Sequence, residues 1–161
     1  MNSFKASRVI HEFTQTNPAS PLKIFPLLCP VHEGDWLPGW QYRLIYSDSG
    51  IAELGCVFVT PNPSGQAREE TTWIVTEYDR TSFRISFLWI DPGRIITEIA
   101  IQLQATQPDV TQTKIRYRYT GLSEDGNREL EIYDRKWFET KMNRWETTMN
   151  YFLQTGERIP S

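Results

Sequence analysis

The sequence offers few side chains able to do chemistry, and the first of them is a histidine. From Ser7 to Thr14, Val9, His11 and Phe13 alternate with Arg8, Ile10 and Glu12, the period of a strand with one apolar face. An imidazole on that face could move a proton or anchor the polar end of a bound molecule, which makes His11 the candidate catalytic residue. The plainer alternative is a core histidine satisfied by backbone. Glu77 invites the same comparison. On a face otherwise apolar, beside Phe83, a carboxyl could be held protonated and serve as acid or base, whereas next to a hairpin turn it would be a solvated rim group. Thr97 could offer a hydrogen bond from the middle of that face or bond to neighbouring backbone. Buried phenols need partners, so Tyr42, Tyr117 and Tyr119 together could orient one polar end of an apolar guest. His32, Glu33 and Asp35 are metal-type ligands without a helical i, i+4 pair or a paired cysteine set, so a polar loop rim is expected and no metal. Cys29 and Cys56 sit among apolar residues with no base at local spacing, as buried free thiols do. A nucleophile elbow, a phosphate-cradling glycine loop, a dinucleotide fingerprint and a zinc motif are all missing, and no cofactor is expected.

The elements that must position these groups follow from periodicity. After the first strand, Ser20 suits an N-cap with Pro21 at the first helical position, and Leu22, Ile24, Phe25 and Leu28 form a short apolar face that Pro26 keeps irregular. From Trp40 onward five or six strands follow. A hairpin turning at Asp48-Ser49-Gly50 puts Trp40, Tyr42, Leu44 and Tyr46 on the side of Leu54, Cys56 and Phe58. A polar loop runs from Pro61 to Glu69. The strand Thr71 to Tyr78 turns at Asp79-Arg80 into Ser82 to Ile90, which sets Trp73, Val75 and Glu77 with Phe83, Ile85, Phe87 and Trp89. The Asp91-Pro92-Gly93 turn then places Thr97 beside Phe87, and Ile99, Ile101, Leu103, Ile115, Tyr117 and Tyr119 extend the same face. Lys114, Arg116 and Arg118 point outward opposite Glu98, Gln102 and Gln104. Such a sheet is covered on one side only. The cover is a C-terminal helix, capped by Asn127, ended by Gly156 and about 40 Å long, whose apolar positions include Trp137, Phe138, Met142, Trp145 and Met149.

The chain has 161 residues, a length that suits one domain spanning 1–161. Seventeen Lys and Arg against 20 Asp and Glu leave a net charge of -3, the wrong balance for a protein that binds nucleic acid through phosphates. The longest greasy stretch, Ile24 to Val31, is short and broken by Pro26 and Pro30, so no stable membrane insertion is expected, and two cysteines point to a reducing cytoplasm. The distinguishing feature is 13% aromatic residues, with six Trp, seven Tyr and eight Phe. The stripe formed by Trp73, Phe87, Trp89, Tyr117 and Tyr119, with Phe58, Trp145 and Met149, is either packed core or the lining of a pocket. Trp36 and Trp40, separated by Pro38-Gly39, either gate its mouth or seal the end of the core.

The run Cys29-Pro30-Val31-His32-Glu33-Gly34-Asp35-Trp36-Leu37-Pro38-Gly39-Trp40, the Thr72-Trp73 strand start, the Pro92-Gly93 turn and the segment Thr120 to Asn127 resemble the START-like superfamily, the polyketide cyclase and lipid-transport group. The resemblance covers nearly the whole chain, and its motifs are turns and caps, specific for architecture rather than chemistry. It implies an α+β helix-grip fold, in which a curved antiparallel sheet of about seven strands wraps a long C-terminal helix, with short helices after the first strand. It also implies a cavity between sheet and helix that takes a lipid or another apolar guest. Three functions follow as expectations. The chain binds an apolar or aromatic small molecule, or is a cyclase- or dehydratase-type enzyme, or is a co-chaperone-like module that binds a protein partner, in each case as a monomer or homodimer.

Overall fold

A computed structural model of the chain describes residues 3–62 and 70–161. The polar loop expected from Pro61 to Glu69 falls, beyond Asn62, outside the described residues. Alternation of apolar and polar side chains produces seven strands: β1 (Arg8–Asn17), β2 (Arg43–Tyr46), β3 (Val57–Pro61), β4 (Glu70–Asp79), β5 (Arg84–Asp91), β6 (Ile95–Gln107) and β7 (Val110–Gly121). They form one antiparallel sheet in the order β1-β7-β6-β5-β4-β3-β2, so the first two strands of the chain lie at opposite edges. Between them run α1 (Pro21–Ile24), a 3₁₀ turn (Phe25–Leu28) and α2 (Pro30–Glu33). Pro21, Pro26 and Pro30 each sit at the start of one of these pieces, where a missing N–H costs nothing, and together they prevent one continuous helix. Leu22, expected on the buried face, is exposed, while Ile24, Phe25 and Leu28 are buried.

Two irregularities change which side chains face the concave surface. Between Val75 and Glu77 the β4–β5 register shifts at a bulge: Val75 pairs with Phe87, Glu77 with Ser86 and Tyr78 with Ile85. The extra residue turns Glu77 to the outer face, where Ser86 Oγ donates to its Oε1 at 3.2 Å, and brings Tyr78 inward against Phe25. Glu77 is therefore no buried acid. In the β2–β3 pair Leu44 opposes Phe58, but a shift at Ile45 sets Tyr46 opposite Val57, and Tyr46 and Leu54 are exposed, contrary to the regular hairpin expected. Thr97 lies opposite Trp89 rather than Phe87, because the turn after Asp91 pairs it with Ile95.

The C-terminal helix is two helices. Ser123, not Asn127, caps α3 (Glu124–Leu130), with its Oγ accepting from Gly126 N, and Asp134 caps α4 (Arg135–Thr155) by accepting from Trp137 N at 2.8 Å. Asn127 instead ties the N-terminal segment down, its Oδ1 accepting from Ser7 N and its Nδ2 donating to Lys5 O. Gly156, with φ of 75°, ends α4 in the left-handed region as expected. At 21 residues α4 is about 30 Å long, shorter than an unbroken helix would be. No helix among the described residues is long and apolar enough to cross a membrane.

The break places α3 directly over the β5–β6 turn, where a Cβ on Gly126 would fall on the backbone carbonyl of Arg94. Alanine is the better helix former by about 1 kcal/mol, but the clash is with backbone that cannot swing aside, and overpacking of that kind costs about 1–3 kcal/mol. Gly126→Ala should therefore lower the urea midpoint; an unchanged or higher midpoint would show that the turn yields.

Candidate functional site

The concave face of the sheet and α4 close on each other along one side only. Thr16 N donates to Glu146 Oε2 at 2.8 Å, Asn150 Nδ2 donates to Thr16 O at 2.9 Å, and Asn17 Nδ2 donates to Asn150 Oδ1 at 2.7 Å. Arg135 Nη1 adds a bond to Glu12 O at 2.6 Å. These bonds draw α4 onto β1, while the rings of β3, β4 and β5 face open space. A cavity of about 390 Å³ is left, within the range of small-molecule sites. A second, of about 210 Å³, adjoins it beneath α3 and the start of α4. An open groove lies outside, between residues 37–40 and α4.

The larger cavity is walled by indoles. Trp73 stacks on Trp89 with centroids 4.5 Å apart and on Phe58 at 5.3 Å, while Phe87 meets Trp73 edge-on. The N–H groups of two of these indoles are tied off within the wall: Trp73 Nε1 donates to Thr60 Oγ1 at 2.9 Å and Trp89 Nε1 to Thr71 Oγ1 at 2.7 Å. The two hydroxyls lie 3.0 Å apart on paired strands. With its donors satisfied by this threonine pair, the stack of Phe58, Trp73 and Trp89 presents apolar rings and no unmet indole donor.

Among the residues singled out from sequence, Trp40, Phe58, Trp73, Phe87, Trp89, Tyr117 and Trp145 line the first cavity, and Trp89, Thr97 and Tyr119 the second. Four others lie off both walls. His11 stacks on Phe138 at 4.9 Å, and its Nε2 donates to the Tyr133 carbonyl at 2.7 Å. A carbonyl only accepts, so that nitrogen carries the proton and the ring is spent pinning β1 to the α3–α4 junction. Met149 is fully buried beside Gln15 in the same seam. Trp36 is fully buried, donates to Leu27 O at 2.9 Å and meets Trp145 edge-on, so it seals the core rather than gating a mouth. Tyr42 is exposed on the outer side of Trp40. The phenols expected to act as a trio are thus a pair, Tyr117 and Tyr119.

Two cavity groups were missed. Glu33 ends α2 and faces the first cavity, while its neighbours His32 and Asp35 pair with each other at 3.6 Å outside it. No three His, Cys, Asp or Glu side chains among the described residues gather as a metal site. Burial pushes the Glu33 carboxyl well above the usual range, favouring its neutral form. Lys141, on α4, lines both cavities and the groove. Its Nζ lies 4.8 Å from the Tyr117 ring centre, 5.5 Å from Trp137 and 5.6 Å from Trp89. Desolvation lowers its ammonium to about 8. One signal could have found it: Lys141 stands four residues after Trp137 and four before Trp145, on the apolar stripe itself. Burial also raises the Tyr117 and Tyr119 phenols, Tyr117 further through Glu33. The Tyr119 hydroxyl is buried and finds no hydrogen-bond partner among the described residues.

No protein-family model matches the sequence, and no curated protein does. Solved structures do match. Norcoclaurine synthase from Thalictrum flavum, in complex with dopamine and hydroxybenzaldehyde, superposes with a TM-score of 0.66 at 16% identity, over 92% of this chain and 88% of that one. Ara h 8.0201 gives 0.60 at 15%, over 92% and 100%. The chain has the helix-grip fold that these structures share. The di-domain ARO/CYC BexL from the BE-7585A biosynthetic pathway gives 0.66 at 9%, over 92% of this chain, which spans about half of that protein. A helix-grip sheet gripping its helix along one edge gives the opening described above, and the side chains within it are this chain's own.

Lys141 makes the opening testable without a guest. The folded chain releases its Nζ proton near pH 8, against 10.5 ordinarily, so between these values the unfolded chain binds more protons. Stability should rise with pH through that window, because the burial penalty, at most about 3 kcal/mol, is present in full below it. Glu33 from α2 and Tyr117 from β7 face the same space with raised pKa values and oppose this rise, the phenol most near pH 10 where its unfolded form ionises. The amine is therefore read from the difference between the native chain and a Lys141 variant, to which both groups are common. Lys141→Met should raise stability at pH 7 and flatten the rise, measured by urea unfolding at pH 7, 8, 9 and 10; an equal slope in both proteins would mean that the amine is solvated.

Proposed function

We propose that this protein binds a flat, largely apolar small molecule in the cavity between the sheet and α4. The observation that carries the proposal is the stacked wall of Phe58, Trp73 and Trp89, whose indole donors are satisfied internally and whose rings border unfilled space. A ring slid against that wall sheds water from two π surfaces and strands no protein donor. The norcoclaurine synthase complex, with its dopamine and hydroxybenzaldehyde, supports a small aromatic guest for this fold. The polar groups that line the cavities and could orient the guest include Thr97, Tyr117, Tyr119, Glu33 and Lys141.

An enzymatic function of cyclase or dehydratase type needs a titratable group within reach of the guest. His11 is bonded elsewhere, so that role falls to Glu33 and Lys141. The cavity gives the partner-binding alternative no such support.

Binding can be measured by tryptophan quenching with 2-naphthalenemethanol and by native mass spectrometry of the purified protein. Trp73→Ala and Trp89→Ala should each weaken binding by about tenfold, the worth of one aromatic pair. Tyr42→Ala, outside the cavity, should leave it unchanged. Absence of binding by the native chain would overturn the proposal.

A further inference from the structure

Lys141 is an amine without an anion. Among the described residues its Nζ makes no hydrogen bond and no ion pair, and it is surrounded by the rings of Tyr117, Trp137 and Trp89. Lysine normally keeps its charged end in water and buries only the stem. A structural ammonium at this depth would be expected to hold a carboxylate, yet Glu33 faces the same cavity without pairing with it. An unpaired amine desolvated by aromatic rings and open to a guest is the arrangement that makes lysine a nucleophile toward carbonyl carbon.

We propose that Lys141 captures an aromatic aldehyde or ketone as an imine, with Glu33 as the acid of the dehydration step. This rests on the binding function above and names the class of guest. The neutral Nζ attacks the carbonyl carbon, the C=O π pair moves to oxygen, and the oxygen takes up a proton as the nitrogen loses one, giving a carbinolamine. The Glu33 carboxyl then protonates the departing hydroxyl, the nitrogen lone pair forms C=N, and water leaves. Overall, amine, carbonyl compound and one proton become a protonated imine and water, and Glu33 recovers its proton from solvent. No oxidant or reductant is involved.

The parts of the site suit this step. Burial favours the acid form of Glu33, and a lysine titrating near 8 holds about three hundredfold more neutral amine at neutral pH than an ordinary one. Trp89 borders both the guest wall and the amine, so a ring held against Trp73 and Trp89 can present a carbonyl attached to it toward Nζ. The groove that Lys141 also lines gives the guest a way in.

The test uses the intact chain, 2-naphthaldehyde and cyanoborohydride at pH 7.4, with the adducts mapped by peptide mass spectrometry. Lys136, exposed on the same helix, is the internal reference, and 2-naphthalenemethanol measures binding without chemistry. Lys141 should be labelled at least tenfold faster than Lys136, and Glu33→Gln should slow labelling at Lys141 by tenfold while leaving Lys136 unchanged. If the alcohol binds but Lys141 is labelled no faster than Lys136, imine capture is wrong and the binding function stands. If the alcohol does not bind and Lys141 is not preferred, both fail. Equal labelling in Glu33→Gln would remove the acid from the scheme.

Discussion

Hydrogen bonds between Thr16 and Asn17 on β1 and Glu146 and Asn150 on α4 hold the helix against one edge of the sheet, and the hollow on the other side follows from them. A 21-residue helix is a stiff rod, and the sheet beneath it is curved. Fixing the rod along β1 commits His11, Phe138 and Met149 to a closed seam, while the strands farthest from β1 leave a hollow. Rings as large as Trp73 and Trp89 still do not bridge the distance, because they stack on each other instead of on the helix. The same choice explains His11. A histidine on β1 sits where the helix is pressed hardest, and the nearby Tyr133 carbonyl claims its proton.

The chemistry of the hollow comes from which polar groups have been satisfied and which have not. The Thr60–Thr71 pair takes both indole protons, so that the wall is rigid and needs nothing from a guest. On the outer face Arg118 and Glu98 satisfy each other through two bonds, and Arg43 meets Glu70 at 2.7 Å; exposed pairs of this kind contribute little to stability. Inside, by contrast, the side chains of Glu33 and Lys141 make no hydrogen bond or ion pair among the described residues, in a medium that disfavours their charged forms, and both shift toward neutrality. Buried ionisable groups left in that condition cost stability. Methionine or leucine at position 141 would continue the apolar stripe of α4 without that cost.

Much of this architecture was legible in the sequence, since strands with one dry face announce themselves by alternation, and proline and glycine mark the turns between them. What alternation does not show is a bulge: Val75, Thr76 and Glu77 read as regular strand, and only the pairing with Phe87 and Ser86 reveals the extra residue that expels Glu77. The break in the C-terminal helix was hidden for a related reason. Leu130, Tyr133 and Trp137 keep three- and four-residue spacing across it, while the caps that make it, Ser123 and Asp134, are short-range features outweighed by the apolar period. The ring wall was legible because aromatic residues on adjacent strands must meet. Lys141 and Glu33 were not, because a charged residue suggests solvent unless its place on an apolar face is weighed against its type.

The order of groups along the hollow gives a guest a direction. The flat wall of Phe58, Trp73 and Trp89 lies in the larger cavity, Trp89 and Lys141 are shared by both cavities, and the unpartnered Tyr119 hydroxyl borders the smaller one. A hydrocarbon ring has no use for Tyr119, and a small polar molecule has none for the indoles. A molecule that satisfies both carries its ring against Trp73 and a hydrogen-bond acceptor toward Tyr119, and it must pass the amine between them. Because the indole donors are fixed beforehand by Thr60 and Thr71, little of the binding energy is lost to ordering the wall. The discrimination then falls on the polar end of the guest, where a buried hydroxyl left unmatched is costly and a matched one removes an existing penalty.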